Sequence, residues 1–217
     1  MKKENLFFVM IFIIVVKISA QSNFEAGFLP KIIFSTKIDA KTKWVNSIES
    51  RTIVFDETYQ FSHNLVDLSS IYSLKSGLNH SFNLGYILRF RGKETIHRTF
   101  QHYNFVSDFL SLKIGNRIAF EQFYQVDDNV TFRTRYQASV QKPLNGEKVD
   151  VKEFYLKLGN EYLTDFNDLE IRFTPYLGYQ ISKIDKLEFG LDYRVNDFIT
   201  STAQNNLWFR TTWYISL

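Results

Sequence analysis

Alternation of apolar and polar side chains is the feature of this sequence that most constrains its fold. Between Ser81 and Phe90 every second residue is large and apolar, and most of the residues between them are small or polar. The apolar set is Phe82, Leu84, Tyr86, Leu88 and Phe90. A period of two is that of a β-strand with one apolar and one polar face. The same alternation recurs with short breaks to Leu217, which predicts an all-β chain.

The start of the chain has the pattern of a secretory signal peptide. Two lysines follow the initiator Met, residues 6–16 are an apolar run, and Ala20 supplies the small residue that signal peptidase requires. The run is shorter than the roughly 20 residues that cross a bilayer as a helix, which argues against a membrane anchor. We predict a signal peptide of residues 1–20 and a mature domain of residues 21–217.

The composition favours a membrane barrel over a soluble exported domain. The chain has 22 Phe, 12 Tyr and 3 Trp among 217 residues, yet its mean hydropathy is only −0.20. Transmembrane β-barrels combine these properties because lipid-facing and lumen-facing residues alternate and cancel in an average. The chain has no Cys, which excludes disulfides and an anchor on a lipidated cysteine. We predict an antiparallel up-and-down transmembrane β-barrel in the outer membrane of a Gram-negative bacterium, in contact with its lipids.

The charge pattern argues against a nucleic-acid partner. Without the predicted signal peptide the chain keeps 23 basic and 22 acidic residues, a net charge of about +1. The sequence has no basic stripe that would follow a phosphate backbone. We therefore expect no binding to nucleic acid.

Eleven segments of the mature chain have strand periodicity. Bacterial single-chain barrels have even strand numbers because both chain ends face the periplasm. We therefore expect twelve strands, with an additional strand near residues 23–29, or alternatively ten, with the first two segments joined. Pro175 is expected to mark a bulge or kink. The segments are 29–38, 43–54, 67–76, 79–91, 97–106, 112–124, 130–141, 150–162, 168–181, 186–195 and 206–217.

The last segment sets the predicted orientation. Its apolar positions alternate up to Leu217, as in the terminal strands that the outer-membrane assembly machinery recognises. With the C-terminus in the periplasm, the connections at 55–66 and 196–205 would lie outside the cell. Those at 143–146 and 182–186 would lie in the periplasm, where turns are usually short.

Charged residues concentrate on the face that is predicted to point inward. Seven of them form the predicted lumen charge network: Arg117, Glu121, Arg133, Arg135, Glu153, Glu161 and Arg172. Eight others share the inward parity: Arg89, Arg91, Lys157, Glu170, Glu188, Asp192, Arg194 and Arg210. Such charges either pair with one another to offset their desolvation in a narrow lumen or line a constriction that selects a permeating solute. The sequence leaves both interpretations open.

The sequence shows no set of residues that predicts catalysis or metal binding. Of the four histidines, only His97 and His102 are close together, and their spacing places them on opposite faces of a regular strand. They could share a metal ion only across a bulge. His80 and Ser81 also point to opposite faces. We predict no catalytic, metal-binding or cofactor-binding residues, and an enzyme is the less favoured interpretation.

An ordered set of short motifs resembles a known family. The motifs are Leu29-Pro30-Lys31, Trp44, Glu49-Ser50-Arg51, His97 to Tyr103, Arg117 to Gln122, Arg133 to Tyr136, Glu153 to Tyr155 and Asn160-Glu161. In order and spacing they resemble the small outer-membrane barrels known as domain of unknown function 2490. The resemblance covers nearly the whole mature chain and implies fold and location, but no catalytic residues. One departure is Glu170-Ile171-Arg172, where the resemblance implies an Asn-Arg element.

The leading function that the sequence predicts is passive or selective permeation of a small solute. The alternatives are a lipid-modifying enzyme and a structural or surface-interaction barrel that uses its external loops. A lipid-modifying enzyme would need a Ser and a His on the outer surface near a membrane boundary, with a third group to orient the His.

Overall fold

The computed structural model describes residues 24–125, 129–199 and 203–217, which form a closed β-barrel. The predicted signal peptide lies outside the described residues. Within these ranges no helix is long and apolar enough to cross a membrane. The strands are β1 (Phe24–Lys37), β2 (Thr42–Asp56), β3 (Thr58–Lys75), β4 (His80–Arg91), β5 (Glu94–Phe109), β6 (Leu112–Tyr124), β7 (Thr131–Pro143), β8 (Phe154–Thr164), β9 (Leu169–Gln180), β10 (Asp185–Asn196) and β11 (Gln204–Ser216).

The described barrel has eleven strands, so the expected twelve and the alternative ten are both wrong. Consecutive strands pair antiparallel, and β1 closes the barrel by pairing parallel to β11, with Phe24 opposite Asn205 and Ser35 opposite Ser216. Residues 24–29, assigned to an additional strand, are the first part of the 14-residue strand β1. The even-number rule fails here because one parallel pair can close an odd-numbered barrel, as in the 19-stranded mitochondrial barrel.

An odd strand number places the two ends of the barrel chain at opposite rims. We call the rim where β1 begins the N-terminal rim and the rim where β11 ends the C-terminal rim. The connections after β2 and β10 share the N-terminal rim, and those after β7 and β9 share the C-terminal rim, as the sequence predicts. The predicted loop at 55–66 is wrong, because β2 ends at Asp56, β3 begins at Thr58, and Glu57 alone turns the chain with a φ of 57°.

The inward and outward faces predicted for β4 and β10 are confirmed within the barrel, although Arg91 at the end of β4 is exposed. In β4, Leu84 is 60% exposed on the outer wall, whereas the neighbouring Asn83 lines the interior. In β10, Phe189 is 52% exposed, whereas Glu188 and Asp192 are 1% and 0% exposed. Successive side chains of a strand point to opposite faces, so each strand supplies apolar groups to the outside and polar groups to the inside.

Pro175 interrupts the pairing of β9 with β10 without a bulge. Gly190 pairs with Tyr176 and Tyr193 with Phe173, so the register is the same on both sides of the unpaired positions. Proline has no N–H to donate to the neighbouring strand, which accounts for the gap. Of the two predicted alternatives, the bulge is therefore wrong and the kink stays a prediction.

Aromatic rings on the inner wall lie directly over glycines of neighbouring strands. A Cβ at Gly85 would lie 2.0 Å from Cζ of Phe100, and one at Gly178 would lie 2.1 Å from Cζ of Tyr155. Both rings are almost completely buried. Glycine allows this close approach because it has no side chain. The rings therefore lie flat on the wall and leave the middle of the barrel free.

Candidate functional site

Side chains do not fill the barrel interior. A cavity of about 900 Å³ lies inside the barrel, a volume equal to roughly 30 water molecules in the liquid. Its lining follows β11 from Asn206 to Ser216, so the cavity extends along most of the barrel length. Side chains just fill a barrel of about 8 strands, whereas barrels of about 16–18 strands leave an aqueous channel. An intermediate strand number accounts for partial filling.

The cavity lining is strongly cationic. Fourteen of the lining residues are Lys or Arg and six are Asp or Glu, an excess of eight positive charges. The whole of residues 21–217 has a net charge of only about +1. The fold therefore separates charge, with basic groups inside and most of the compensating acidic groups elsewhere.

Six inward side chains of alternating charge form a ring of ion pairs on the wall of β6 to β9. We call this ring the Arg–Glu hexad, and its members are Glu121, Arg133, Glu170, Arg172, Glu161 and Arg135. Glu121 lies 2.6 Å from Arg133 and 3.1 Å from Arg135. Glu161 lies 3.3 Å from Arg135 and 3.2 Å from Arg172. Glu170 closes the ring at 2.5 Å from Arg172 and 4.0 Å from Arg133.

Strand register brings the members of the hexad together. Glu121 of β6 is directly opposite Arg133 of β7, and Glu161 of β8 is directly opposite Arg172 of β9. Opposite charges at facing positions of neighbouring strands attract one another. Because the residues also share inward parity, the pairs meet inside the barrel. Arg133 additionally lies over the ring of Phe123, 4.9 Å from its centroid.

A second group of ion pairs crosses the closure between β1 and β11. We call it the Asp192 cluster, and its members are Lys31, Glu49, Asp192, Arg194 and Arg210. Asp192 lies 2.8 Å from Arg194 and 3.0 Å from Arg210. Arg210 also lies 3.1 Å from Glu49, which is 3.2 Å from Lys31. These contacts join the first two strands to the last two.

Five of the seven residues predicted for the lumen charge network belong to the hexad. Arg117 also lines the cavity, but its Nε donates to Oδ1 of Asn104 at 2.7 Å. Glu153 lies elsewhere, in the connection before β8. There its carboxylate accepts hydrogen bonds from the Asp150 N–H at 3.0 Å and from the Asn145 amide at 2.9 Å. These two bonds hold the pKa of Glu153 below its usual value.

Sequence reasoning missed inward charges in β1 to β3. Asp67 pairs with Arg89 through two hydrogen bonds of 2.7 and 2.6 Å, and Glu49 joins the Asp192 cluster. Arg51 lies over the indole of Trp208, 4.8 Å from its centroid. Register shifts occur after Ala26, Arg51 and Ile53. These shifts leave Glu49 and Asp67 in a regular stretch where the two residues are directly opposite one another, so an alternation count of β2 and β3 would have assigned both inward.

A buried carboxylate organises the wall near the C-terminal rim. Glu188 is 1% exposed and accepts hydrogen bonds from the hydroxyl groups of Tyr155 at 2.8 Å and Tyr214 at 2.9 Å. The ammonium group of Lys157 lies 3.1 Å from it. A buried carboxylate is stable when such partners satisfy it. Glu188 and its partners therefore stabilise the barrel wall.

The two neighbouring histidines are on opposite faces, as predicted. His102 lines the cavity and its ring stacks on Phe100 with centroids 4.3 Å apart. His97 is on the outer wall and hydrogen-bonds with the hydroxyl of Tyr86. In the part of the chain that the structure describes, no group of three His, Cys, Asp or Glu residues is placed to hold a metal ion.

A Ser–His contact that the sequence did not predict lies on the outer wall. The hydroxyl oxygen of Ser50 is 3.3 Å from Nε2 of His63. The two residues belong to β2 and β3 and are 13 positions apart in the chain. Only the register of these strands brings them together, so no local motif indicates the contact.

The fold and interior define the class of the protein: a closed β-barrel of eleven strands with a cationic, partly filled lumen. The chain belongs to the family described as Protein of unknown function (DUF2490), whose model matches residues 26–206. This match runs from β1 into β11 and confirms the family resemblance. A comparison with curated proteins found no match, and a comparison with solved structures also found none.

Proposed function

We propose that the protein is an outer-membrane β-barrel through which a small solute permeates. The observation that carries this proposal is the charged cavity of about 900 Å³ that extends along the barrel. A barrel with only a structural role would gain nothing from such a space, because empty volume forfeits packing interactions. A hydrophilic solute requires a polar interior of this kind, which water can enter.

The outer wall supports the membrane location. Large apolar side chains are exposed around the barrel, including Phe82, Ile118, Phe189 and Phe209, each at least half exposed. Soluble monomers rarely expose a contiguous apolar patch of more than a few hundred Å², and lipid would cover this one. The shortest strand, β8, has 11 residues, which is enough for a tilted strand to span a bilayer core.

The interior ion pairs limit the size of the solute. The hexad and the Asp192 cluster extend long side chains from the wall into the lumen, so the path is narrower than that of a wide porin. Rings of charged side chains select ions and polar solutes by charge and size. The proposed permeant is therefore small and hydrophilic.

Conductance in planar bilayers tests the proposal. We expect small, discrete openings of the purified protein. The double variant Arg133→Gln/Arg135→Gln should shift ion preference toward cations, because it leaves the carboxylates of Glu121 and Glu161 in the lumen. The matched control Lys142→Gln/Lys148→Gln removes the same charge from residues that do not line the cavity. Absence of conductance, or large constant conductance like that of a wide porin, would contradict the proposal.

A second candidate function, ester hydrolysis of membrane lipids, has one observation in its favour. The Ser50–His63 contact of 3.3 Å on the outer wall has the geometry of a nucleophile and its base. A triad also needs a third group that orients the His, and no described residue hydrogen-bonds to His63 from the opposite side. This candidate therefore ranks second.

Fatty-acid release from phospholipid vesicles separates the two functions. Hydrolysis that Ser50→Ala abolishes, and that the nearby Ser62→Ala leaves intact, would place hydrolysis first. Wild-type protein without hydrolytic activity, or activity that survives Ser50→Ala, would exclude this pair as the catalytic site.

A further inference from the structure

We propose that the cavity near the C-terminal rim binds small multivalent oxyanions, that is, solutes that carry phosphate or carboxylate groups. Five cationic residues form the site, and we call them the lysine mouth: Lys43, Lys113, Arg117, Lys157 and Lys186. The inference deepens the proposed function, since it names the class of solute. The binding site itself would exist whether or not the solute crosses the barrel.

The four lysines lie at corresponding positions of different strands. Lys43, Lys113 and Lys186 are the second residues of β2, β6 and β10, and Lys157 is the fourth residue of β8. These strands all begin at the C-terminal rim, and the four side chains all line the same cavity. They therefore surround the cavity just inside this rim. Arg117 lies four residues beyond Lys113 on β6 and extends the cationic surface deeper into the lumen.

Three of the five cations of the lysine mouth have no close acidic partner. Glu188 is the carboxylate close to it, 3.1 Å from Lys157 and 3.9 Å from Lys186. Among the described residues, no carboxylate lies within 4.0 Å of Lys43, Lys113 or Arg117. The hexad, in contrast, has three acidic and three basic members.

The cations of the lysine mouth are close enough to repel one another. The charges of Lys75, Arg117 and Lys113 repel that of Lys43. Lys186 is attracted by Glu188 and repelled by Lys157, Lys113 and Lys43. A cleft that is lined by one sign of charge and has low-dielectric walls concentrates ions of the opposite sign. An anion bound between these groups would relieve their repulsion.

The surrounding groups suit an oxyanion. Hydroxyl groups of Ser47 and Ser73 and the amide of Gln141 line the same cavity and can donate hydrogen bonds to anionic oxygens. Hydrogen bonds between ammonium groups and phosphate or carboxylate oxygens are stronger than neutral ones. A multivalent anion carries more charge than chloride and has several oxygens that can reach ammonium groups on different strands.

Titration of detergent-solubilised protein with inorganic pyrophosphate and with citrate tests the site. The lumen triple variant Lys43→Gln/Lys113→Gln/Arg117→Gln removes the three cations without close carboxylates. The control triple Lys41→Gln/Lys142→Gln/Lys183→Gln removes the same charge at the same rim from residues that do not line the cavity. We expect the dissociation constant to rise about tenfold or more in the lumen triple and less than about twofold in the control. The tighter of the two probes identifies phosphate or carboxylate as the preferred group.

Several outcomes would overturn the inference. The inference is wrong if wild-type protein binds neither pyrophosphate nor citrate at low ionic strength. It is also wrong if the dissociation constant rises equally in the two triple variants. If the lumen triple does not fold, Lys43→Gln/Lys113→Gln replaces it with a smaller expected effect in the same direction. A reversal potential that shows cation preference would also contradict the oxyanion site, although the proposal that a solute permeates the barrel would still stand. Pyrophosphate binding without conductance would instead refute permeation alone.

Discussion

Glu121 is the carboxylate on which the largest number of interior arginines converge. It is 2% exposed and lies 2.6 Å from Arg133, 3.1 Å from Arg135 and 3.9 Å from Arg98. Removal of one partner from a buried set of ion pairs is costly because the remaining charges lose their compensation. Glu121 is therefore the position where the stability of the hexad is tested best.

Glu121→Gln should lower the free energy of unfolding by about 3 kcal/mol. Equilibrium urea unfolding in lipid vesicles measures this change. The matched control is Glu94→Gln, which removes the partner of Arg91 from an exposed pair of 2.8 Å at the N-terminal rim and should cost less than about 1 kcal/mol. Equal losses in the two variants would show that the hexad adds no stability beyond that of a surface pair.

Gly85 tests the contact between inner-wall rings and glycines. Gly85→Ala should lower the free energy of unfolding by about 1–3 kcal/mol, because its Cβ would displace the Phe100 ring. In the control Gly115→Ala, the Cβ meets only the hydroxyl of Ser139 at 2.9 Å, which can move. The same unfolding measurement applies, and a larger loss for the control would contradict the structure.

At the scale of the strands, the pairing of β1 with β11 distinguishes an eleven-stranded barrel from the even-numbered alternatives. Phe28 and Phe209 face one another in this parallel register, with ring centroids 5.9 Å apart. Because the sequence has no Cys, a disulfide that forms after two cysteines are introduced can join only those two positions within the chain.

The variant Phe28→Cys/Phe209→Cys should form a disulfide on mild oxidation, since paired positions of neighbouring strands satisfy the distance that a disulfide requires. Altered mobility on a non-reducing gel detects it. Phe28→Cys/Trp213→Cys, displaced by four residues along β11, should stay reduced. The reverse result would exclude the parallel closure.

Strand positions could be predicted from the sequence because alternation is a local property. The segment 112–124 coincides with β6, and 186–195 differs from β10 by one residue at each end. The count of eleven periodic segments also equals the number of strands. What alternation does not indicate is how the barrel closes, because closure depends on the two strands that are farthest apart in the chain. The rule that bacterial single-chain barrels have even strand numbers then led to the wrong expectation of twelve or ten strands.

The members of the candidate site could be predicted from the sequence because inward parity is regular where they lie. Glu121, Arg133 and Arg135 lie in uninterrupted strands, so their meeting follows from alternation and register. Glu49 and Asp67 also lie in regular stretches of β2 and β3, directly opposite one another, so the same alternation count indicates their inward position although they were not predicted. The error at Glu153 comes from the predicted start of the strand. The predicted segment began at residue 150, whereas β8 begins at Phe154, so Glu153 lies just outside the strand.

The molecule as a whole separates apolar, basic and acidic groups by location. The outer wall is apolar and the interior is cationic. The connections at the N-terminal rim include Glu57, Asp165, Asp168 and Asp197, so that this rim is acidic. An anion would be repelled at this rim and attracted by the lysine mouth near the C-terminal rim. The electrostatic potential therefore differs in sign between the two ends of the barrel.

The central claim is that lipid surrounds the outer wall and water fills the interior. Leu84→Cys and Asn83→Cys place a fluorescent label on adjacent residues of β4 at nearly the same depth. In vesicles, a quencher dissolved in the acyl chains should quench the label at residue 84 and leave the label at residue 83 bright, while aqueous iodide should do the reverse. Quenching of both labels by iodide alone would contradict a membrane-spanning barrel, and lipid quenching confined to the label at residue 83 would show that its faces are inverted.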